Sequence, residues 1–371
     1  MRRVIAALAL LAVSCTGVSA DSSRGSLNIY YIDTEGGQAT LFVGPTGESL
    51  LVDSGNAGTR DLSRIVETLH MAGVSRIDHM WTTHYHGDHV GSLLELAKQF
   101  PIQHFYDHGA PNANDRTVSA AFVTAYAELS QGKRSIVKPG DKLKMSGLDI
   151  TTVASGNQLI RTNLAGGGRA NATCGGVQPM DESANDNDDS AGFVLAYGRF
   201  RTVDLGDLTW NAELNLMCPT NRIGTVDLYL TSHHGLAISG SSALVHALQP
   251  RVAVMNNGTR KGGDASAFRV LLASPGLEDL WQLHWAYNAG LENSPAMFIA
   301  NVDDNATIAG VLTQAAAAPP TGAGPPGGPG GRGGPASHSP AYLIKVSAQK
   351  DGTFTVTNTR NGLSKTYHPR Q

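Results

Sequence analysis

One unit recurs in both halves of this 371-residue chain: a short apolar strand, a loop and a helix with one apolar stripe. Leu27, Ile29 and Tyr31 share one phase, Leu41 and Val43 another, and Leu50-Leu51-Val52 runs into Asp53-Ser54-Gly55. Leu62, Ile65, Val66 and Leu69 then fall at i, i+3, i+4 and i+7, the spacing of a single helical face. A strand follows over Ile77 to Thr82, and a helix with Leu93, Leu94 and Leu96 opens after Gly91. In the second half, Phe193–Tyr197 and Phe200–Leu205 read as a hairpin around Gly198-Arg199. Val226–Leu230, Arg251–Met255 and Leu280–His284 read as strands, separated by helical stretches at Trp210–Met217, Ala243–Leu248 and Ala265–Leu272. Two halves of this kind predict an α/β (α+β) chain, a four-layer αββα sandwich with its two sheets facing each other.

The ends of the chain break the pattern. Arg2 and Arg3, the apolar run Val4–Val13 and the small residues Val18-Ser19-Ala20 predict a signal peptide over 1–20, cleaved before Asp21. Ten apolar residues fall short of the ~20 that span a bilayer, so the mature chain is expected in the periplasm or secreted, with no transmembrane segment. A second reading has Cys15 acylated as a lipoprotein anchor. Without Cys15 only Cys174 and Cys218 remain, either as a disulfide or as buried thiols. Residues 161–190 are polar and should form a long loop, and residues 319–335 hold eight Gly and six Pro, a composition that cannot build a core. The expected organisation is therefore a domain over 21–315, a linker over 316–340, and a C-terminal hairpin segment over 341–371. The hairpin strands are Tyr342–Val346 and Thr353–Val356, and the segment either docks on the sandwich or stands apart.

Chemistry concentrates in His84-Tyr85-His86-Gly87-Asp88-His89, placed where an apolar strand ends. Imidazole nitrogen and carboxylate oxygen are ordinary ligands of zinc and related divalent ions, and four such side chains lie within six residues. Two His separated by one residue point to one side of an extended loop, and after a turn at Gly87 Asp88 and His89 face a second ion.

At this point the sequence resembles the metallo-β-lactamase superfamily, whose signature HxHxDH is met at every position by HYHGDH. The resemblance implies the αββα metallo-β-lactamase fold and two divalent ions, with zinc favoured and manganese the alternative. It implies His84, His86, Asp88 and His89 as ligands, Asp207 in Asp204-Leu205-Gly206-Asp207 as the carboxylate bridging both ions, and Asp53 as the brace of the metal loop. The last ligand falls in Thr231-Ser232-His233-His234-Gly235, where His233, directly after the strand, is preferred and His234 is a supporting or substrate contact. The His-His-Gly form, with Asn187-Asp188-Asp189-Ser190 and Asn256-Asn257-Gly258, is similar to the metallo-β-lactamase-like domain of ComEC proteins over about residues 26–300. One departure stands out. A third His for the first ion is missing, since only His104 and His108 lie between the motif and Asp207; the expected position offers Asn187, Asp186 or Asp189.

The resemblance implies a hydrolase that uses a metal-bridged hydroxide, with Asp88 and Asp207 as its catalytic carboxylates. A phosphoester or phosphodiester is the first expectation for the substrate, and a β-lactam or lactone ring the alternative. A third reading is a metal-binding interaction protein without turnover. A net charge of −3 speaks against a dedicated nucleic-acid binder, which leaves nucleic acid only as a substrate.

Overall fold

Alternation along the strands decides which side of each sheet is covered. In Leu27–Tyr31, the side chains of Leu27, Ile29 and Tyr31 enter the core between the two sheets, while Tyr30 joins a separate cluster under the helices. The computed structural model, which describes residues 25–182, 184–317 and 338–370, repeats this division on both sheets. Phe42, Leu50, Val52 and Trp81 of the first sheet meet Phe193, Leu195, Leu228 and Trp281 of the second in the central core. Leu41, Leu51 and Met80 pack outward on Ile65, Leu69, Leu93 and Leu96. Val203, Tyr229 and Ala253 pack outward on Leu216, Leu244 and Phe268. Helix, sheet, sheet, helix is the expected four-layer order.

The second sheet presents one functional edge. Phe200–Asp204, Leu228–Leu230, Val252–Met255 and Asp279–His284 run parallel side by side, so their C-terminal ends, and the loops that leave them, lie together. On the first sheet, Ser49–Val52 and Ile77–Trp81 are likewise parallel, which places Asp53 beside the loop that starts at Thr82. The helices at Thr59–Met71, Trp210–Met217, Ser242–Leu248 and Ala265–Leu272 match the apolar spacing closely. The Leu93–Leu96 stretch is a single helical turn. Residues 1–24, which include the expected signal peptide and Cys15, and residues 318–337 of the expected linker lie outside the described residues. No helix among the described residues is long and apolar enough to cross a membrane.

The C-terminal segment differs from the expectation of a hairpin beyond a linker. It forms three strands, Ile344–Ala348, Phe354–Asn358 and Ser364–Tyr367, and the first pairs with Leu27–Tyr31, extending the first sheet to nine strands. Ile344, Val346, Ala348, Phe354, Val356 and Tyr367 all enter the central core. The physical reason is the strand Leu27–Tyr31, whose second edge and apolar inner face need a partner that no other described strand supplies. Residues 316 and 317 are also not linker, since they close the helix Asn305–Ala317.

The loop over 161–190 is anchored rather than loose. Arg169–Ala170 pairs with Thr220–Asn221, and Cys174 is disulfide-bonded to Cys218 just past the helix Trp210–Met217. Replacing both cysteines by Ser should cost about 4 kcal/mol, the magnitude expected for a crosslink between residues 44 positions apart. Urea melts of the parent and the double variant measure it, and an unchanged midpoint would show that the crosslink constrains little.

Candidate metal centre

The motif His84–His89 occupies the loop and helical turn that follow the strand Ile77–Trp81. Asp53 fixes that loop from below. It is buried in the left-handed backbone region (φ 58°), accepts from the Thr83 backbone N–H (2.8 Å) and hydroxyl (2.6 Å), and meets His89 Nδ1 at 2.7 Å. Because Nδ1 of His89 is held by that carboxylate, Nε2 is left to face the centre, 3.3 Å from His234 Nε2. The same logic orients His86. Its Nε2 contacts Asp115 Oδ2 at 2.7 Å, and its Nδ1 lies 3.1 Å from His84 Nε2.

Asp207 joins the two groups of ligand atoms. Its Oδ2 lies 3.3 Å from His89 Nε2, 3.3 Å from His233 Nε2, 3.4 Å from His234 Nε2 and 3.8 Å from His84 Nε2. Its other oxygen, Oδ1, is buried without a hydrogen-bond partner. Asp88, His89, Asp207 and His234 each bring one ligand atom within 4.8 Å of all the others. Buried oxygen without a partner among imidazoles is costly in a protein interior, and a cation bound there removes the cost. The donor set, nitrogen with carboxylate oxygen, suits zinc and manganese alike.

Electrostatics put the side chains in ligating form. Burial alone would raise the carboxyls of Asp88 and Asp207. Lys261 and His89 beside Asp88, and His233, His234 and His89 beside Asp207, instead hold both well below the usual carboxylate range. Burial and the neighbouring His89 keep His84 well below the ordinary imidazole value. His89 moves the other way: burial disfavours its charge, but Asp207, Asp88 and Asp53 together raise it well above the ordinary value. Charged carboxylates around a neutral His84 favour a cation at this point, and a bound ion would take over the charge that the His89 proton otherwise supplies.

The geometry brings His234 as well as the preferred His233 to Asp207. Both residues have left-handed backbone (φ 53° and 56°), which turns the chain sharply enough to send the second imidazole, His234, into the group with Asp88 and His89. His233 also reaches Asp207, while its Nδ1 meets Ser239 Oγ at 3.2 Å, and burial lowers its pKa to about 4. Nearness to the strand end does not separate the two, because direction depends on backbone handedness that adjacent His residues do not reveal.

At the position of the missing third His, the turn Asp186–Asp189 packs against the motif. Asp186 accepts from the Tyr85 backbone N–H at 2.6 Å, and the neighbouring Asn187 keeps a buried Oδ1 without a hydrogen-bond partner. His104 stacks on His79 and His108 packs on Tyr85 and Asp186, so neither enters the group around Asp207. Two contributors escaped the sequence reading. Lys261, in the loop after Val252–Met255, contacts Asp88 Oδ2, and Asp115 holds His86. A lysine inside Asn257-Gly258-Thr259-Arg260-Lys261-Gly262 carries a usable signal only in hindsight: a Cβ at Gly258 would stand 2.4 Å from the Glu35 carbonyl, so the loop needs glycine to approach that closely.

Beside the centre opens a cleft of about 790 Å³, lined by Asn185, Asp188, Thr209, Trp210, Asn211 and Ile238 among others. Its wall includes Asp188, next to Asn187 in the chain, and Thr209, two residues beyond Asp207, but none of the candidate ligands around Asp207.

Residues 33–115 match the family described as the metallo-beta-lactamase superfamily. The matched stretch carries Asp53 and the whole HYHGDH motif, and the αββα sandwich around it is the metallo-β-lactamase fold. Among curated proteins, lactamase-like protein nscB of Neosartorya fischeri is 32% identical over 106 residues, 28% of this chain and 31% of its own. The atrochrysone carboxyl ACP thioesterase dmxR1 of a Cryptosporiopsis species is 34% identical over 74 residues, 19% of this chain and 23% of its own. The chain thus spans under a third of the length of these relatives. The metallo-beta-lactamase fold protein YhfI of Bacillus subtilis aligns over 70% of this chain and 96% of its own, with a TM-score of 0.44 and 13% identity.

Proposed function

We propose that this chain is an exported, metal-dependent hydrolase of phosphoesters or phosphodiesters, of the ComEC-like kind. The observation that carries the reading is the convergence of Asp88, His89, Asp207 and His234 within 4.8 Å, braced by Asp53, with His84 and His86 alongside. One ion would be held by Asp88, His89, His234 and Asp207, and the other by His84, His86 and Asp207 with Asn187 as the oxygen donor in place of the third His. When bound, such ions supply Lewis acidity, which lowers the pKa of water toward neutrality and polarises the oxygen under attack. The protein's share is orientation. Asp53 and Asp115 fix the two imidazoles, and Asp207 sits between both groups with one oxygen free. Lys261 places a cation at the rim, where an anionic substrate would be drawn in. The Cys174–Cys218 disulfide supports an oxidising compartment, as the N-terminal segment does.

An ester-type bond is the second reading, favoured by the local identity to a thioesterase. A panel of bis(p-nitrophenyl) phosphate, an acyl thioester, a lactone and a chromogenic β-lactam, run on zinc- and manganese-loaded protein, separates the two. Phosphodiester turnover well above the others is the expected result; turnover confined to the thioester or lactone would transfer the assignment. Lys261→Ala is expected to raise KM for the phosphodiester by about tenfold, the weight of one charge-assisted contact, with kcat changed far less. An unchanged KM would remove Lys261 from substrate binding.

A further inference from the structure

A second set of ligand-type side chains, two buried and one half-buried, lies apart from the Asp207 centre. Glu35, His284 and His338 bring one ligand atom each within 4.8 Å of the others, from three different parts of the chain. Glu35 follows the strand Leu27–Tyr31 and is held in left-handed backbone (φ 52°), His284 ends the strand Asp279–His284, and His338 precedes the C-terminal strands. His338 Nδ1 is 3.2 Å from Glu35 Oε1, and His284 Nε2 is 3.6 Å from Glu35 Oε2 and 2.5 Å from Asp33 Oδ1.

The surroundings are those of a ligand set rather than of a plain ion pair. Nε2 of His338 is engaged by Asp303 Oδ1 at 3.0 Å, and Asp303 in turn accepts from the Tyr287 hydroxyl at 2.5 Å. A carboxylate on the far nitrogen fixes the ring and aims the lone pair of Nδ1 inward, the arrangement that accompanies most metal-bound histidines. Arg64 occupies the other side, with Nη1 2.9 Å from Asp33 Oδ2 and Nη2 donating to the His338 carbonyl at 2.7 Å. The group sets Asp33, Glu35 and Asp303 against the guanidinium of Arg64, and the hydrogen bond from Glu35 raises His338 above the ordinary imidazole value. Three carboxylates outnumber that one fixed positive charge, and a bound divalent cation would supply the charge that a proton on His338 otherwise brings.

We propose that Glu35, His284 and His338, with Asp33 Oδ1 within reach, bind a further divalent transition-metal ion of the zinc class. Two imidazoles with carboxylate oxygen select zinc, cobalt or nickel over calcium and magnesium, which prefer all-oxygen sites. The role is structural. The ion ties the start of the C-terminal segment to the Asp33–Gln38 loop, whose Gln38 N–H donates to the Asp88 carbonyl at 3.1 Å. It thereby links the third part of the first sheet to the backbone under the catalytic motif.

Native mass spectrometry of full-length protein, stripped with chelator and reloaded with zinc, tests this by counting ions per chain in the parent, in His338→Ala and in Asp207→Ala. The expected result is one ion fewer in His338→Ala than in the parent, with turnover within about twofold, and one ion retained by Asp207→Ala. Equal metal content in parent and folded His338→Ala, or a folded Asp207→Ala that holds no ion, would overturn the site and leave these groups as an ion-pair network. If His338→Ala does not fold, the ion count of Asp207→Ala decides alone. Should the Asp207 centre itself bind nothing, the parent would carry a single ion that His338→Ala lacks, so the two assignments fail separately.

Discussion

Asp207→Ala is expected to abolish turnover, by about a thousandfold or more, and to release the ions of the HYHGDH centre together. The argument rests on the position of one oxygen. Oδ2 of Asp207 lies 3.3 to 3.8 Å from His89, His233, His234 and His84, and among the described residues no other carboxylate comes within 4 Å of both His84 and His234. Removing it leaves each ion one ligand short and takes away the negative charge that holds two cations side by side, so affinity and orientation fall at once. The fold should survive. Asp207 lies past the strand Phe200–Asp204 and braces no core residue, whereas the neighbouring Asp204 accepts from Gln38 Nε2 at 2.9 Å and from the Gly206 N–H. Metal content and initial rates on the folded variant check this, and a rate within tenfold of the parent would remove Asp207 from the centre.

Deleting residues 338–371 is expected to unfold the protein rather than trim it. Ile344, Val346, Phe354, Val356 and Tyr367 are buried in the core between the sheets, and each large apolar side chain contributes about 1.5–3 kcal/mol when buried. Five of them amount to roughly 7–15 kcal/mol, as large as the whole net stability of an ordinary domain. Deletion would also bare the edge of Leu27–Tyr31, an invitation to aggregation. Soluble expression and far-ultraviolet circular dichroism of the truncated chain are the checks. A soluble, cooperatively melting product with its metal intact would show that the sandwich closes without its last three strands.

The contrast between these two regions shows what the sequence could and could not convey. The motif was legible because its spacing is local: His84, His86, Asp88 and His89 sit within six residues just past the strand Ile77–Trp81. Helix positions were legible for the same reason, as Ile65 and Leu69 show, since one stripe recurs every turn. The place of the C-terminal strands was not, because pairing Ile29 with Val346 joins residues more than three hundred positions apart and leaves no local trace. The choice between His233 and His234 turned on backbone handedness, and the roles of Lys261 and Asp115 on loop paths, neither of which is written in hydrophobic period. The disulfide was legible only as an option, since two cysteines pair only if the fold brings them together.

The measurement that bears most directly on the central claim is the anomalous difference map from crystals of zinc-loaded protein, collected on both sides of the zinc edge. The account predicts two peaks at the HYHGDH motif, each about 2 Å from an oxygen of Asp207, one also ligated by Asp88, His89 and His234 and the other by His84 and His86. A map with no peak beside Asp207, from crystals whose protein was loaded and active, would contradict it.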